Sequence, residues 1–251
     1  MNLSKTNLSK TAILDAASNI GSGVSRRQFI KYSSGLLAAM SAPAVLAHGH
    51  GSDKGAMMKG MHKSAVGLQL YTLRDIMKVS VPATLKLVAD VGYSEMEFAG
   101  YFDHSAKEIK QLLDDNGLTA PSAHIQLDAF DTNLSQILDD AQTVGHKYLV
   151  VPWLSEAQRG TGIAPYQALA DKLNTIGEAC KKEGITLAYH NHDFEFEVRD
   201  GKTPLDVLIT QTDPDLVAME LDLYWTVKAG KNPVDYFKQY PGRFKLWHVK
   251  D

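Results

Sequence analysis

Cysteine is almost missing from this chain. The single one, Cys180 in 251 residues, rules out an internal disulfide, so the fold is held by packing rather than cross-links. It lies in "IGEACKKEG", where apolar spacing and flanking charges suggest a helix, and it reads as a core or surface thiol rather than a nucleophile. A basic excess is missing too: 26 Lys and Arg stand against 29 Asp and Glu, for a net charge of −3, which leaves no electrostatic footprint for nucleic acid. No glycine-rich phosphate loop follows the first strand-like run, which argues against a dinucleotide fold. The mildly apolar stretch "YSSGLLAAMSAPAVLA", broken by Pro43, is short for a membrane-spanning helix.

What is present is an ordinary globular composition, 44% hydrophobic and 22% charged, with enough apolar material for a sizeable core. Near the start, "SRRQFIK" (Ser25 to Lys31) precedes the apolar stretch. This order resembles a twin-arginine export signal, in which Arg26 and Arg27 are read by the export machinery and cleavage follows Val45-Leu46-Ala47, or Ala44 as second choice. Residues 1–47 are therefore expected to act as a signal, the protein to be periplasmic and exported folded, and no stable membrane insertion to remain after cleavage. A short basic amphipathic helix or membrane anchor is the alternative. Residues 48–63, "HGHGSDKGAMMKGMHK", have no period that buries a face and read as a flexible linker. Their His48, His50, Met57, Met58, Met61 and His62 offer soft-metal donors as a second reading.

From Val66 onward strand-like runs alternate with amphipathic segments. The strand-like runs are "VGLQLY", "SEMEFAG", "APSAHIQL", "KYLVVPW", "ITLAYHNH", "LVAMELDLYW" and "FKLWHV"; the segments between include "SAKEIKQLLDDNG", "LSQILDDAQTVG" and "YQALADKLNTIGEACKKEG". Repeated strand–helix units imply a parallel sheet, and residues 64–251 are expected to form an α/β TIM (β/α)8-type barrel. Period two splits each strand into an apolar and a more polar face. Met96 and Phe98 oppose Glu95 and Glu97; Ala123, Ile125 and Leu127 oppose Ser122, His124 and Gln126; Val217, Met219 and Leu221 oppose Ala218, Glu220 and Asp222. Polar residues gather at the C-terminal ends of the strands, where barrel enzymes place their chemistry.

The strand tips then converge. Period two puts Ala188, His190 and His192 on one face of the fifth strand, Glu220 and Asp222 on that of the sixth, and Leu246, His248 and Lys250 on that of the seventh. Such a set of imidazole and carboxylate donors suits a divalent ion such as Mn, Co, Zn or Fe(II), with open positions for a substrate's oxygens.

Four motifs, "MEFAGY", "LAYHNHDFEF", "LDLYW" and "LWHVKD", resemble the sugar phosphate isomerase/epimerase group of the xylose-isomerase-like TIM-barrel superfamily over about residues 64 to 251. The resemblance implies one divalent ion held by a Glu on strand five, an Asp on strand six, a His on strand seven and a Glu on strand eight. Carried over, the Asp is Asp222 and the His is His248, while His190 stands where a Glu is usual. The expected metal set is thus His190, Asp222 and His248. No eighth strand is read, so the barrel is expected to be incomplete after the seventh, as a fragment, a frameshifted gene or an incomplete gene model, with a natural seven-strand variant as the alternative.

Three functions compete, with the isomerase or epimerase preferred and the lyase close behind. A metal-dependent isomerase or epimerase would lose a proton beside a polarised sugar carbonyl; a lyase or hydratase on a keto-sugar or keto-glycoside would begin the same way and then expel a leaving group. A sugar-binding protein that has lost its chemistry is the third. The expected proton-moving residues are Glu97, His124, His192 and Lys250. The expected partner is a small sugar, and export favours a non-phosphorylated one.

Overall fold

A computed structural model describes residues 66–250. The signal read at residues 1–47 and the linker at 48–63 lie outside the described residues. Within them, seven strands alternate with helices, and all seven pair in parallel in the order β1-β2-β3-β4-β5-β6-β7. They are β1 (Gly67–Gln69), β2 (Glu95–Phe98), β3 (Thr119–His124), β4 (Tyr148–Val151), β5 (Thr186–His190), β6 (Val217–Asp222) and β7 (Phe244–His248). This is the TIM-barrel-type arrangement that the alternation predicts: sequential order, parallel pairing and a helical connection between most neighbours.

The helices are α1 (Arg74–Val79), α2 (Val81–Val91), α3 (Ala106–Asp115), α4 (Ala129–Val144), α5 (Glu156–Arg159), α6 (Ala164–Lys182), α7 (Pro204–Gln211), α8 (Leu223–Lys228) and α9 (Pro233–Gln239). Local chemistry starts and stops them. Ser105 and Ser155 each form a reciprocal capping box, with Glu108 and Gln158 respectively, which satisfies orphan N–H groups at both helix starts. Gly145 closes α4 at φ 94°, a left-handed conformation that a side chain would strain.

Two apolar regions separate the layers. The larger packs one sheet face against the helices, through Met96, Phe98, Leu149, Leu187, Tyr189, Met219 and Leu221 from the strands. Cys180 belongs to it, fully buried on α6, and burial pushes its thiol up to about 12, the behaviour of a packing residue. The smaller region is the opposite sheet face: Val150, Ala188 and Ala218, with Tyr148 and Leu246 against them. It forms the dry floor of the concave interior. The residues two positions further along β5, β6 and β7 are His190, Glu220 and His248, so apolar floor gives way to polar mouth within one pleat.

Several strand-like runs are shorter than the sequence suggests. The run "LVAMELDLYW" stops being strand at Asp222, whose side chain accepts the Trp225 N–H and turns the chain into α8. The fifth strand ends at His190, so His192 lies in the following loop. "VGLQLY" yields three strand residues before a 3₁₀ turn at Leu70–Leu73. Pro121 lies within β3, and the register with β2 shifts around it, from Glu95↔Thr119 to Glu97↔Ser122. A proline cannot donate to the ladder, and such a shift accommodates it.

Candidate metal and active site

Four strands end on an ionisable residue: His124 on β3, His190 on β5, Asp222 on β6 and His248 on β7. Three of these rings form a triangle, with His124 and His190 centroids 5.4 Å apart, His124 and His248 5.4 Å apart, and His190 and His248 4.7 Å apart. Glu220 sits among them. Its Oε2 lies 3.0 Å from His124 Nε2, 3.0 Å from His190 Nδ1 and 3.3 Å from His248 Nε2. One donor atom from each of the four residues falls within 4.8 Å of the others.

Glu97 completes the layer from β2. Its Oε1 lies 2.8 Å from both His124 Nε2 and His248 Nε2, and its Oε2 accepts the Ser122 hydroxyl at 2.6 Å. The register shift in β3 delivers that serine. Burial works to raise the Glu97 carboxyl, but the charges and hydrogen bonds of His124 and His248 overcome it and hold Glu97 well below the usual carboxylate range. Burial likewise works against charge on His124 and His248, yet the carboxylates around them win: His124 rises to about 9 and His248 to about 10. His190, more enclosed, is lowered by burial. On its free side His124 Nδ1 lies 3.3 Å from the Gln69 amide of β1.

Asp222 stands one pleat above Glu220. Its Oδ1 caps α8 and its backbone N–H donates to Asn191 Oδ1 at 3.0 Å. Its Oδ2 is buried with no hydrogen-bond partner, although Lys250 Nζ lies 2.8 Å away, an ionic contact without hydrogen-bond alignment. His190 Nε2 and His248 Nδ1 each lie 3.7 Å from that same oxygen. Burial opposes charge on Asp222, but His248 and Lys250 prevail and lower it to about 2. His192 is set apart. It stacks on Phe194 and leans on Trp225, and burial lowers it to about 3, so it is a neutral rim residue.

The residues expected from the sequence are thus brought together with one addition. Glu97, His124, His190, Asp222 and His248 share the mouth, Lys250 lies at its rim, and His192 flanks it. Glu220 was read onto the correct face but not counted as a donor; its signal was the alternation of "AMELD", which puts it beneath Asp222. Ser122 and Gln69 carried no signal of their own.

This polar layer at the strand tips accompanies a sequence match: residues 85–251 match the family model described as xylose isomerase-like TIM barrel. The chain belongs to the xylose isomerase-like TIM barrel family. Among solved structures of related barrels, a sugar phosphate isomerase/epimerase from Parabacteroides distasonis shares 29% identity at a TM-score of 0.67, covering 76% of this chain and 77% of that one. The IOLI protein with a bound zinc atom superposes at a TM-score of 0.60 with 15% identity, over 74% of this chain and 72% of that one, which is a likeness of fold. Among curated relatives, inosose dehydratase from Clostridium botulinum is 25% identical over 183 residues, 65% of this chain and 61% of that protein. Inosose dehydratase from Clostridium beijerinckii is 32% identical over 87 residues, 34% of this chain and 28% of that protein. The chain therefore spans less than two thirds of the length of these dehydratases.

The residues of this family member fit a divalent ion. Donor atoms about 2.0–2.1 Å from an ion sit roughly 3.3 Å apart at tetrahedral angles, close to the spacings around Glu220 Oε2.

Proposed function

We propose that this barrel is a metal-dependent enzyme that removes a proton beside the carbonyl of a non-phosphorylated keto-sugar or cyclic keto-polyol and then eliminates water. The carrying observation is the convergence of His124, His190, Glu220 and His248 at the mouth, with the Glu97 carboxylate against it. His190, His248 and a β6 carboxylate would hold the ion. When bound, such an ion polarises a carbonyl and its neighbouring hydroxyl, so that the C–H between them becomes acidic.

The chain's own groups supply the rest. Glu97, kept ionised, takes the proton from carbon. The electron pair left behind forms the new carbon–carbon double bond as the β-hydroxyl departs, and Lys250 at the rim gives that hydroxyl a proton so that it leaves as water. The apolar floor of Val150, Ala188 and Ala218 limits water below the reacting carbons. The match to inosose dehydratases, which act in name as dehydratases, supports elimination.

Isomerisation or epimerisation is the second reading, favoured by the Parabacteroides neighbour's name. It shares the first step. His190 on β5, where a carboxylate is usual for that group, weighs against it, since epimerisation requires proton carriers on both faces of one carbon. The segment read as an export signal supports a substrate met outside the cytoplasm, and hence one without phosphate.

The test is proton exchange. The metal-loaded protein, incubated in deuterated water with a panel of keto-sugars and keto-inositols, is expected to exchange the α-hydrogen and to yield an unsaturated ketone absorbing in the ultraviolet. An epimer or an aldose–ketose pair would favour the second reading. No exchange on any member of the panel, with metal shown to be bound, would overturn both in favour of a binding protein.

A further inference from the structure

His190 and His248 each face two carboxylates from two different ring nitrogens. The deeper pair of contacts goes to Glu220: His190 Nδ1 at 3.0 Å and His248 Nε2 at 3.3 Å. The shallower pair goes to Asp222 Oδ2: His190 Nε2 and His248 Nδ1, both at 3.7 Å. A neutral imidazole has one lone-pair nitrogen and one N–H. Each ring therefore turns its ligating nitrogen either down toward Glu220 or up toward Asp222, and the two positions exclude one another.

We propose that the ion takes the deep position, bound by His124, His190, His248 and Glu220, and that Asp222 stays outside its ligand shell and accepts the remaining N–H of both His190 and His248. The assignment rests on the reading that a metal is bound, and departs from the resemblance, which makes the strand-six Asp a ligand.

Three observations place it there. First, only the deep position gathers four donors, because His124 Nε2 points at Glu220 (3.0 Å) while its Nδ1 is turned toward Gln69 (3.3 Å), away from Asp222. Second, Asp222 is already committed: Oδ1 caps α8 and the backbone is pinned by Asn191. Its Oδ2, fully buried, already holds the Lys250 ammonium at 2.8 Å, and the two ring N–H groups that face it at 3.7 Å complete its surroundings without an ion. This is the usual outer arrangement of metal-bound histidines, whose second nitrogen donates to a carboxylate that fixes the tautomer. Third, Glu220 is nearly inaccessible and Val150, Ala188 and Ala218 form the apolar floor; a carboxylate buried there needs cationic partners, which an ion with three imidazoles supplies.

The experiment uses the full 251-residue chain loaded with Zn(II). Zinc K-edge absorption spectroscopy counts imidazole ligands, and metal analysis after dialysis against a competing chelator gives affinity. The expected result is three imidazoles per ion in the parent and in Asp222→Asn, with affinity in that variant reduced by about 10- to 100-fold as for an outer-shell change. His124→Gln is expected to retain two imidazoles and Glu220→Gln to fall further in affinity than Asp222→Asn. Two imidazoles in the parent, or full zinc in His124→Gln with loss in Asp222→Asn, would overturn the assignment while leaving a metal enzyme standing. The count in the parent needs no variant to fold. A parent that binds no zinc, cobalt, manganese or iron would overturn the assignment together with the reading beneath it.

Discussion

His248 Nε2 lies 2.8 Å from Glu97 Oε1, and this contact joins β7 to β2 across 151 residues of sequence. It is possible only because the sheet curls until its seventh strand faces its second. The same oxygen lies 2.8 Å from His124 Nε2, so this carboxylate joins Glu220 in balancing two imidazoles that are raised to about 9 and about 10 against the effect of burial. Glu97→Ala would strip both enclosed charges of their nearest carboxylate and leave them to share Glu220 Oε2, at 3.0 and 3.3 Å. Breaking a buried pair in this way costs about 3–5 kcal/mol. Urea unfolding of the metal-free protein at pH 7 should show a loss of that order; a midpoint within error of the parent would show that the three groups do not interact as described.

A second buried carboxylate sets a pH dependence. Glu195 is fully enclosed behind β5, where its oxygens accept the Tyr189 hydroxyl at 2.6 Å and the His192 N–H at 2.8 Å. Burial raises it from 4.5 to about 7, against the hydrogen bonds from Tyr189 and His192 and the charge of Arg159. Between these values the folded protein keeps a proton that the unfolded chain has released. Stability from this group is thus complete below about pH 4.5 and is lost as pH rises to about 7, by about 3 kcal/mol. Glu195→Gln cannot ionise, so the difference in unfolding free energy between parent and variant should drift by that amount across the interval. A constant difference would mean that Glu195 titrates normally.

How much of this was legible in the sequence depends on range. Period two identified the inward faces of β2, β3, β5, β6 and β7, because alternation is a local property of a pleated strand. It placed Glu97, His124, His190, Glu220, Asp222 and His248 correctly. It failed at His192, since alternation does not say where a strand stops, and β5 ends two residues earlier at His190. Depth was also hidden. Glu220 and Asp222 share a face, and which of them meets the imidazoles depends on the stagger of β6 against β3 and β7, a relationship between residues 96 positions apart in the case of His124 and Glu220. Ser122 reached Glu97 through a register shift at Pro121 that no local pattern announces.

Gly177 makes an opposite-sign prediction about packing. It lies inside α6, where replacing glycine by alanine usually gains about 1 kcal/mol. Here a Cβ would fall 2.9 Å from the Leu216 carbonyl oxygen and 3.0 Å from Leu216 Cβ, at the segment leading into β6. That segment is backbone and cannot swing aside, and overpacking of this kind costs about 1–3 kcal/mol. Gly177→Ala should therefore lower the thermal midpoint, by roughly 2–4 °C for each net kcal/mol in a chain of this size. A raised midpoint would show that α6 and β6 have room to separate.

Lys250 separates the two halves of the proposed reaction. Its ammonium contacts Asp222 Oδ2 at 2.8 Å and lies 5.1 Å from the Trp225 ring centroid, at the rim rather than among the imidazoles. A group so placed reaches a departing hydroxyl but not the α-proton beside the ion, which falls to Glu97. Lys250→Met keeps the length and removes the acid. Exchange of the α-hydrogen in deuterated water should then continue within a few-fold of the parent, while appearance of the unsaturated product drops by about 100-fold or more, the usual contribution of a positioned acid. Equal losses in both rates would assign Lys250 to holding Asp222 in place instead. A variant that eliminates water as fast as the parent would move the acid elsewhere.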